Sequence, residues 1–154
     1  MSKQPIEGET MSSAIELVGA DIDAMVQGYI ECQLWSQQDM DREDEALDAN
    51  YDSSDVAGDY VESLQELFSE IVAAHPLAVR MYVNHGTDYR RAYADCADRS
   101  ALFGHDFYLT REHHGAGFWD RGMGELGDYL TRIADDYGSA DELFDDGSGT
   151  LVAS

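Results

Sequence analysis

Apolar positions Ile22, Met25, Val26, Tyr29, Ile30 and Leu34 recur at steps of three and four, the spacing of one helical face. Asp21 and Asp23 suit the first turn of such a helix, where carboxylates meet the positive end of its dipole. The pattern predicts a helix from Asp21 to near Trp35; Gly28 inside it costs about 1 kcal/mol relative to Ala and permits close packing. A second stripe of Val56, Tyr60, Leu64, Leu67, Phe68, Ile71 and Val72 predicts a helix over 55–74. His75-Pro76 closes it, because the residue before a proline is pushed out of the α region. Beyond the proline, Leu77, Val79, Met81 and Val83 either extend the helix or form a strand, and their period of two favours the strand. The Ala- and Arg-rich stretch 89–102 reads as a short helix. Residues 106–111 are rich in strand formers, 112–117 are turn-like and 118–121 are aromatic again, which predicts a β-hairpin over 106–121. Leu126, Tyr129, Leu130 and Ile133 predict a last helix stopped at Gly138. An Asp145-Asp146-Gly147 turn and an edge strand at Thr150-Leu151-Val152 follow. Residues 1–12 are polar and aperiodic and read as a flexible leader. The expectation for 13–154 is one α+β domain, two or three amphipathic helices packed on a small antiparallel sheet that contains the 106–121 hairpin.

Composition fits that picture, since 154 residues with 44% hydrophobic content suit one compact domain with a real core. No stretch approaches the roughly 20 apolar residues of a membrane span, and Met1-Ser2-Lys3-Gln4-Pro5 lacks a signal-peptide pattern, so a soluble intracellular protein is expected. Cys32 and Cys96 then read as reduced thiols in the core. Charge changes the picture more: 32 Asp and Glu oppose 9 Lys and Arg, for a net charge of −23. Direct nucleic-acid binding is disfavoured, because phosphate contacts need clustered cations, and any partner is expected to be basic. The acidity is uneven: residues 1–79 carry −16, residues 80–132 carry −1 and residues 133–154 carry −6. Four of the five histidines, His85, His105, His113 and His114, fall in the near-neutral stretch.

Two acidic features stand out as candidate partner-binding surfaces. Asp55, Asp59, Glu62, Glu66 and Glu70 step by four, three, four and four along the second predicted helix, a row about 22 Å long at the helical rise. Like charges at these spacings destabilise a helix by a few tenths of a kcal/mol each, a cost local stability does not explain. An acidic loop over 39–55 precedes the row, with Asp39, Asp41, Glu43, Asp44 and Glu45 at its start. Asp39-x-Asp41-x-Glu43 fails the calcium-loop pattern, because Asp44 stands where glycine is required and Asn50 stands at the twelfth position.

The densest reactive set lies in 104–122, where the hairpin would gather His105, Asp106, Arg111, His114, Trp119, Asp120 and Arg121 into an alternative ligand site. An imidazole beside a carboxylate is a common means of orienting a base or a metal ligand. No His-x-x-x-His or Cys-x-x-Cys spacing accompanies it, so no metal, cofactor or catalytic residue is assigned. The competing reading is a structural hairpin in which Arg111 and Arg121 pair with Asp106 and Asp120 while Phe118 and Trp119 fill core. His105-Asp106 is similar to the metal dyad of the HD phosphohydrolases, but that dyad sits in a helical setting and here it opens a predicted strand. Gly115-Ala116-Gly117 lacks the third glycine of a dinucleotide fingerprint, and nothing near Cys32 or Cys96 marks an activated thiol.

Gly104-His105-Asp106-Phe107, Leu109-Thr110-Arg111 and His114-Gly115-Ala116-Gly117-Phe118-Trp119-Asp120-Arg121-Gly122 together resemble a signature in small acidic proteins of tailed-bacteriophage genomes. Tyr29-Ile30-Glu31-Cys32 with Leu34-Trp35 resembles the N-terminal element of the same proteins. The resemblance implies a viral origin and action in the cytoplasm of an infected bacterial host; it implies no particular activity. Charge and implied origin together lead to the expectation of an inhibitor that mimics DNA. Its target would be a host defence protein with a basic nucleic-acid-binding surface, such as a restriction, CRISPR or repair enzyme. Two other readings stand beside it: a small enzyme or ligand binder using the 104–122 site, and salt adaptation in which 20 Asp and one Lys serve solubility alone.

Overall fold

Asp21 opens the first helix, α1 (Ile22–Ser36), by accepting a hydrogen bond from the Ala24 amide at 3.0 Å, as an N-cap aspartate should. The computed structural model describes residues 18–84, 98–113 and 117–153, the side chain of Glu43 excepted. After α1 come the short strands β1 (Gln38–Asp39) and β2 (Arg42–Ala46), and two single 3-10 turns at Leu47–Ala49 and Ser53–Asp55. Helices α2 (Gly58–Ala74) and α3 (Pro76–Val83) follow, then α4 (Arg99–Arg111), a 3-10 turn at Phe118–Asp120 and α5 (Glu125–Asp136). Strands β3 (Leu143–Asp145) and β4 (Leu151–Ala153) complete the described chain.

The result is a mixed α+β, helix-rich fold. Among the described residues there are five α-helices and two separate two-stranded antiparallel sheets, β1 with β2 and β3 with β4. The helices therefore pack on one another and the hairpins lie at their margins, in place of the expected sheet platform with two or three helices on it.

The centre of the fold is the crossing of α1 and α4, and it is set by two glycines. A Cβ on Gly28 would lie 2.0 Å from the Ala101 carbonyl oxygen, and one on Gly104 would lie 1.8 Å from the Met25 carbonyl oxygen. The two backbones meet where neither has a side chain, which offsets the entropic cost of glycine within each helix. Around this crossing Tyr29, Phe68, Tyr82, Phe103, Phe107 and Phe118 are each fully enclosed. Their rings meet mostly edge to face, as in Tyr29 against Phe68 (5.9 Å, 75°) and Tyr82 against Phe118 (5.5 Å, 88°).

Several sequence expectations need correction. Residues 106–111 are not a strand of a 106–121 hairpin but the second half of α4, which Asp98 caps by accepting from the amides of Ser100 and Ala101. Residues 77–83 are helical as well, because Pro76 occupies the first helical position, where its missing N–H costs nothing. The stretch 39–55 is not a plain loop: Gln38 pairs with Ala46 and Asp39 with Arg42 across a two-residue turn. The helices at α1 and α5, the edge strand β4 and the turn before it match expectation. The predicted helix at 89–102 lies mostly outside the described residues, as do Cys96, His85 and His114.

Candidate functional site

Asp106 is the one member of the predicted ligand set around which others gather, and it is completely enclosed. Arg121 meets it side-on with two bonds, Nε to Oδ2 at 3.0 Å and one terminal nitrogen to Oδ1 at 2.5 Å. The Tyr82 hydroxyl donates to Oδ2 at 2.7 Å, and His105 Nδ1 stands 3.7 Å from Oδ1. A buried carboxylate is tolerable only when its charge and lone pairs are satisfied, and this bidentate arginine with a tyrosine does both. The next turn of α4 extends the arrangement: Thr110 Oγ1 donates to the Asp106 carbonyl at 2.7 Å and accepts from the Phe118 amide at 3.1 Å. Gly117 is needed beside it, because a Cβ there would fall 2.4 Å from Thr110 Oγ1. The cluster thus fastens the 117–121 segment to the centre of α4.

The remaining predicted ligands go elsewhere. Trp119 is half exposed, Asp120 faces solvent, and His114 lies outside the described residues. Arg111 does not pair with Asp120. Its guanidinium instead donates to the carbonyls of Gly138 (2.8 Å), Tyr137 (3.2 Å) and Ser139 (3.0 Å) just beyond the C-terminus of α5, and to the Tyr29 hydroxyl at 3.1 Å. Glu112 accepts from the Ala140 amide at 2.7 Å, Gln33 Nε2 donates to the Asp141 carbonyl at 2.8 Å, and Gln37 bonds both the N–H and the C=O of Leu143. Side chains from α1 and α4 therefore clasp the whole 137–143 connection. Buried within this clasp, the Tyr60 hydroxyl donates to Gln33 Oε1 at 2.6 Å, and burial pushes the Tyr29 hydroxyl up to about 12 against the opposing pull of Arg111 and Tyr60. The aromatic-glutamine clasp was not anticipated from sequence.

His105-Asp106 does sit on a helix, so the predicted strand was the wrong ground for setting aside the likeness to the HD dyad. The carboxylate is nonetheless engaged by Arg121 and Tyr82, and among the described residues no three His, Cys, Asp or Glu side chains converge as a metal site. Cys32 is buried close by, its thiol pushed up to about 12 by burial first and by the Asp106 charge second, with Arg121 opposing; it is no activated nucleophile.

The acidic candidates divide differently. Asp59, Glu62, Glu66 and Glu70 are all exposed on α2, while Tyr60, Leu64, Phe68, Ile71 and Val72 of the same helix are buried. Asp55 is not part of this helical row: it belongs to the preceding 3-10 turn, where its carboxylate accepts from the Asp52 amide at 2.9 Å in a capping box. Asp39 is also withdrawn, buried and bonded to the Asp41 amide at 2.9 Å and to Arg42 at 3.1 Å. Asp41, Asp44 and Glu45 remain exposed on the β1–β2 hairpin, Glu45 accepting from Asn50 at 2.7 Å. No helix among the described residues is long and apolar enough to cross a membrane. Comparison with protein-family models, with curated proteins and with solved structures finds no match for this chain.

Proposed function

We propose that the chain is a phage-encoded acidic inhibitor that acts as a DNA mimic on a basic nucleic-acid-binding surface of a host defence protein. The observation that carries this reading is the division of α2 into a core face and a solvent face that holds Asp59, Glu62, Glu66 and Glu70. Four carboxylates within 12 residues stand about 5.5 Å apart along the axis, somewhat more than half the line density of one DNA strand at about 3.4 Å per phosphate. The exposed Asp41, Asp44 and Glu45 on the β1–β2 hairpin add to the acidic surface. A net charge of −23 would steer such a surface toward a basic groove and speed association. Restriction, CRISPR and repair enzymes present grooves of that kind.

The test is capture from a bacterial lysate on the tagged protein, with elution by salt and by competing duplex DNA, repeated with Glu62, Glu66 and Glu70 all changed to Lys. The reading expects a stoichiometric nucleic-acid enzyme that DNA displaces and that the triple variant fails to retain. The exposed positions should leave the fold intact in that variant. Retention of the same partner by the triple variant would remove the carboxylate row from the mechanism. Salt adaptation predicts instead that the protein loses its circular-dichroism signal at low salt, which a mimic should keep.

A further inference from the structure

The solvent side of α1 is one stripe, Asp23, Gln27, Glu31 and Trp35, each four residues after the last and each exposed. Trp35 is 62% exposed, and among the described residues its ring meets no other ring and no cation. Glu31, one turn earlier, is held by Gln27, whose Nε2 donates to Glu31 Oε1 at 2.8 Å and to Ser53 Oγ at 3.0 Å. That amide orients the carboxylate without neutralising it, and no Lys, Arg or His among the described residues forms an ion pair with it. The charge is acidic locally and not only in sum. Ile22–Ser36 holds Asp23 and Glu31 and no Lys or Arg, so the C-terminal end of α1, where free carbonyls favour a cation, has none of its own. Arg42, the next cation along the chain, is engaged with Asp39 at 3.1 Å. A lone apolar side chain in solvent needs no explanation, but an indole one turn from an oriented, unneutralised carboxylate is a defined pair of contacts.

We propose that Glu31 and Trp35 together anchor one arginine side chain of the basic partner, its guanidinium lying over the indole and bonding the second oxygen of Glu31. Residues four apart on a helix stand about 5–6 Å apart at Cβ, so one planar group reaches both. Arginine is preferred to lysine because its flat, weakly hydrated guanidinium stacks on an aromatic face and forks onto a carboxylate. Nucleic-acid-binding proteins use arginines in both ways, on phosphates and against the faces of bases. The carboxylate of Glu31 stands in for the phosphate and the indole of Trp35 for the base. The anchor deepens the inhibitor reading, on which it rests for the kind of partner, and it adds a contact on α1 to the carboxylate row on α2. The two are neighbours through Asp23, which accepts from Gln65 Nε2 of α2 at 3.3 Å.

The test is an NMR titration of the full chain, labelled with nitrogen-15, with amidated tri-arginine and tri-lysine peptides in about 0.15 M salt, where the screening length is about 8 Å. The chain has two tryptophans, and Trp119 is the internal control: it is half exposed, and no acid lies three or four residues from it in the sequence. Tri-arginine should shift the indole N–H of Trp35 and the amide of Glu31 along one saturating curve and leave the Trp119 indole in place. Tri-lysine should bind there at least about two-fold more weakly. Trp35→Leu keeps an apolar side chain and removes the ring face. In that variant, and in Glu31→Gln, the tri-arginine affinity read at the α1 amides should fall about two- to five-fold, the worth of an exposed cation–π contact. Melting curves should be unchanged, because both side chains stand in solvent. The variant with Glu62, Glu66 and Glu70 changed to Lys should keep the Trp35 shift, which separates the anchor from the row. The titration uses no host protein, so it reads the anchor whatever the lysate capture returns; a captured nucleic-acid enzyme that Trp35→Leu retains as well as wild type would overturn the anchor alone. Equal shifts at both indoles, equal affinity for the two peptides, or unchanged affinity in Trp35→Leu would overturn it as well. So would self-association in sedimentation velocity that Trp35→Leu abolishes, since the indole would then face a second copy.

Discussion

Replacing Gly104 by Ala tests the claim that the fold is organised on the α1–α4 crossing. The new Cβ would lie 1.8 Å from the Met25 carbonyl oxygen and 2.7 Å from its carbon, both backbone atoms that no rotamer change can move. Ordinary contact begins near 3.4 Å, so the helices must separate by about 1.6 Å at their closest point. A gap of about 0.5–1 Å already forfeits a quarter to a half of each van der Waals contact, and the contacts at risk include those of Met25, Tyr29, Phe103 and Phe107. Overpacking of a core costs about 1–3 kcal/mol when side chains can yield; against backbone we expect about 3–5 kcal/mol, reduced by about 1 kcal/mol for the better helix propensity of Ala. A net loss of about 2–4 kcal/mol lowers the melting temperature by roughly 4–16 °C in a domain of this size. Urea and thermal unfolding followed by far-ultraviolet circular dichroism measure it. Gly58→Ala is the internal control, because a Cβ there meets nothing within 4 Å, and it should be neutral or slightly stabilising. A Gly104→Ala protein that unfolds within about 0.5 kcal/mol of wild type, an ordinary surface substitution, would refute the reasoning.

The buried Asp106–Arg121 pair gives a second prediction: Arg121→Met should cost about 3–5 kcal/mol by leaving a carboxylate enclosed without its cation, and Asp106→Asn in the same chain should recover part of that loss in urea melts. Alkaline stability is a third. Burial raises the Tyr29 hydroxyl to about 12, and raises those of Tyr60 and Tyr108 as well, above an unfolded value near 10. The stabilisation is therefore complete below about pH 10 and is lost as pH rises through the folded values, with Tyr29 alone accounting for about 3 kcal/mol. Melting temperature should fall steeply between about pH 10 and 12 as tyrosinate absorbance rises; ionisation of Tyr29 itself near pH 10 in a still-folded chain, followed by the NMR shift of its ring carbon, would contradict the burial argument. For Cys32, held as a thiol by its surroundings, a Cys96→Ser protein should react with an aromatic disulfide reagent at mildly alkaline pH only at its unfolding rate.

Why the sequence misleads at 106–111 is visible in α4 itself. Leu102, Phe103, Gly104, Asp106, Phe107, Tyr108, Leu109 and Thr110 are all buried, so this helix has almost no solvent face to impose a period of 3.6 on its polar residues. Its Phe, Tyr and Thr fill the core and read as strand formers, and tertiary packing overrides that propensity. Gly104 looks like punctuation and is instead the point of closest approach. The signals that would have corrected both readings are local and went unused: Asp98 ahead of Ser100 and Ala101 is an N-cap, and Pro76 starts a helix more readily than it continues a strand. By contrast α2 was read nearly to its ends, because one face is apolar and the other acidic. Of the candidate sites, pairing of Arg111 and Arg121 with Asp106 and Asp120 was the expected structural alternative; Arg121 does take Asp106, whereas Arg111 turns to the 137–139 carbonyls. A guanidinium satisfied by backbone oxygens leaves no partner residue type in the sequence to search for.

The same arginines explain how the charge of the chain reaches its surface. With 9 cationic residues against 32 acids, each internal use of an arginine removes part of the small counter-charge available outside. Arg121 is enclosed against Asp106, and Arg111 neutralises no acid among its bonds, serving four neutral oxygens instead. The exposed row on α2 consequently stands without interleaved cations: between Asp59 and Glu70 the chain has no Lys or Arg at all, whereas the β1–β2 hairpin carries Arg42 among its acids. A solubilising surface gains from mixed signs, which limit self-repulsion, whereas a surface that competes for a groove built for phosphates gains from one sign held on a rigid helix. The core face of α2 supplies that rigidity, since Phe68, Ile71 and Val72 are fully enclosed and fix the helix against α1. Reversing the charges should therefore change what the protein attracts while leaving how it folds to the aromatic core and the two glycines beneath.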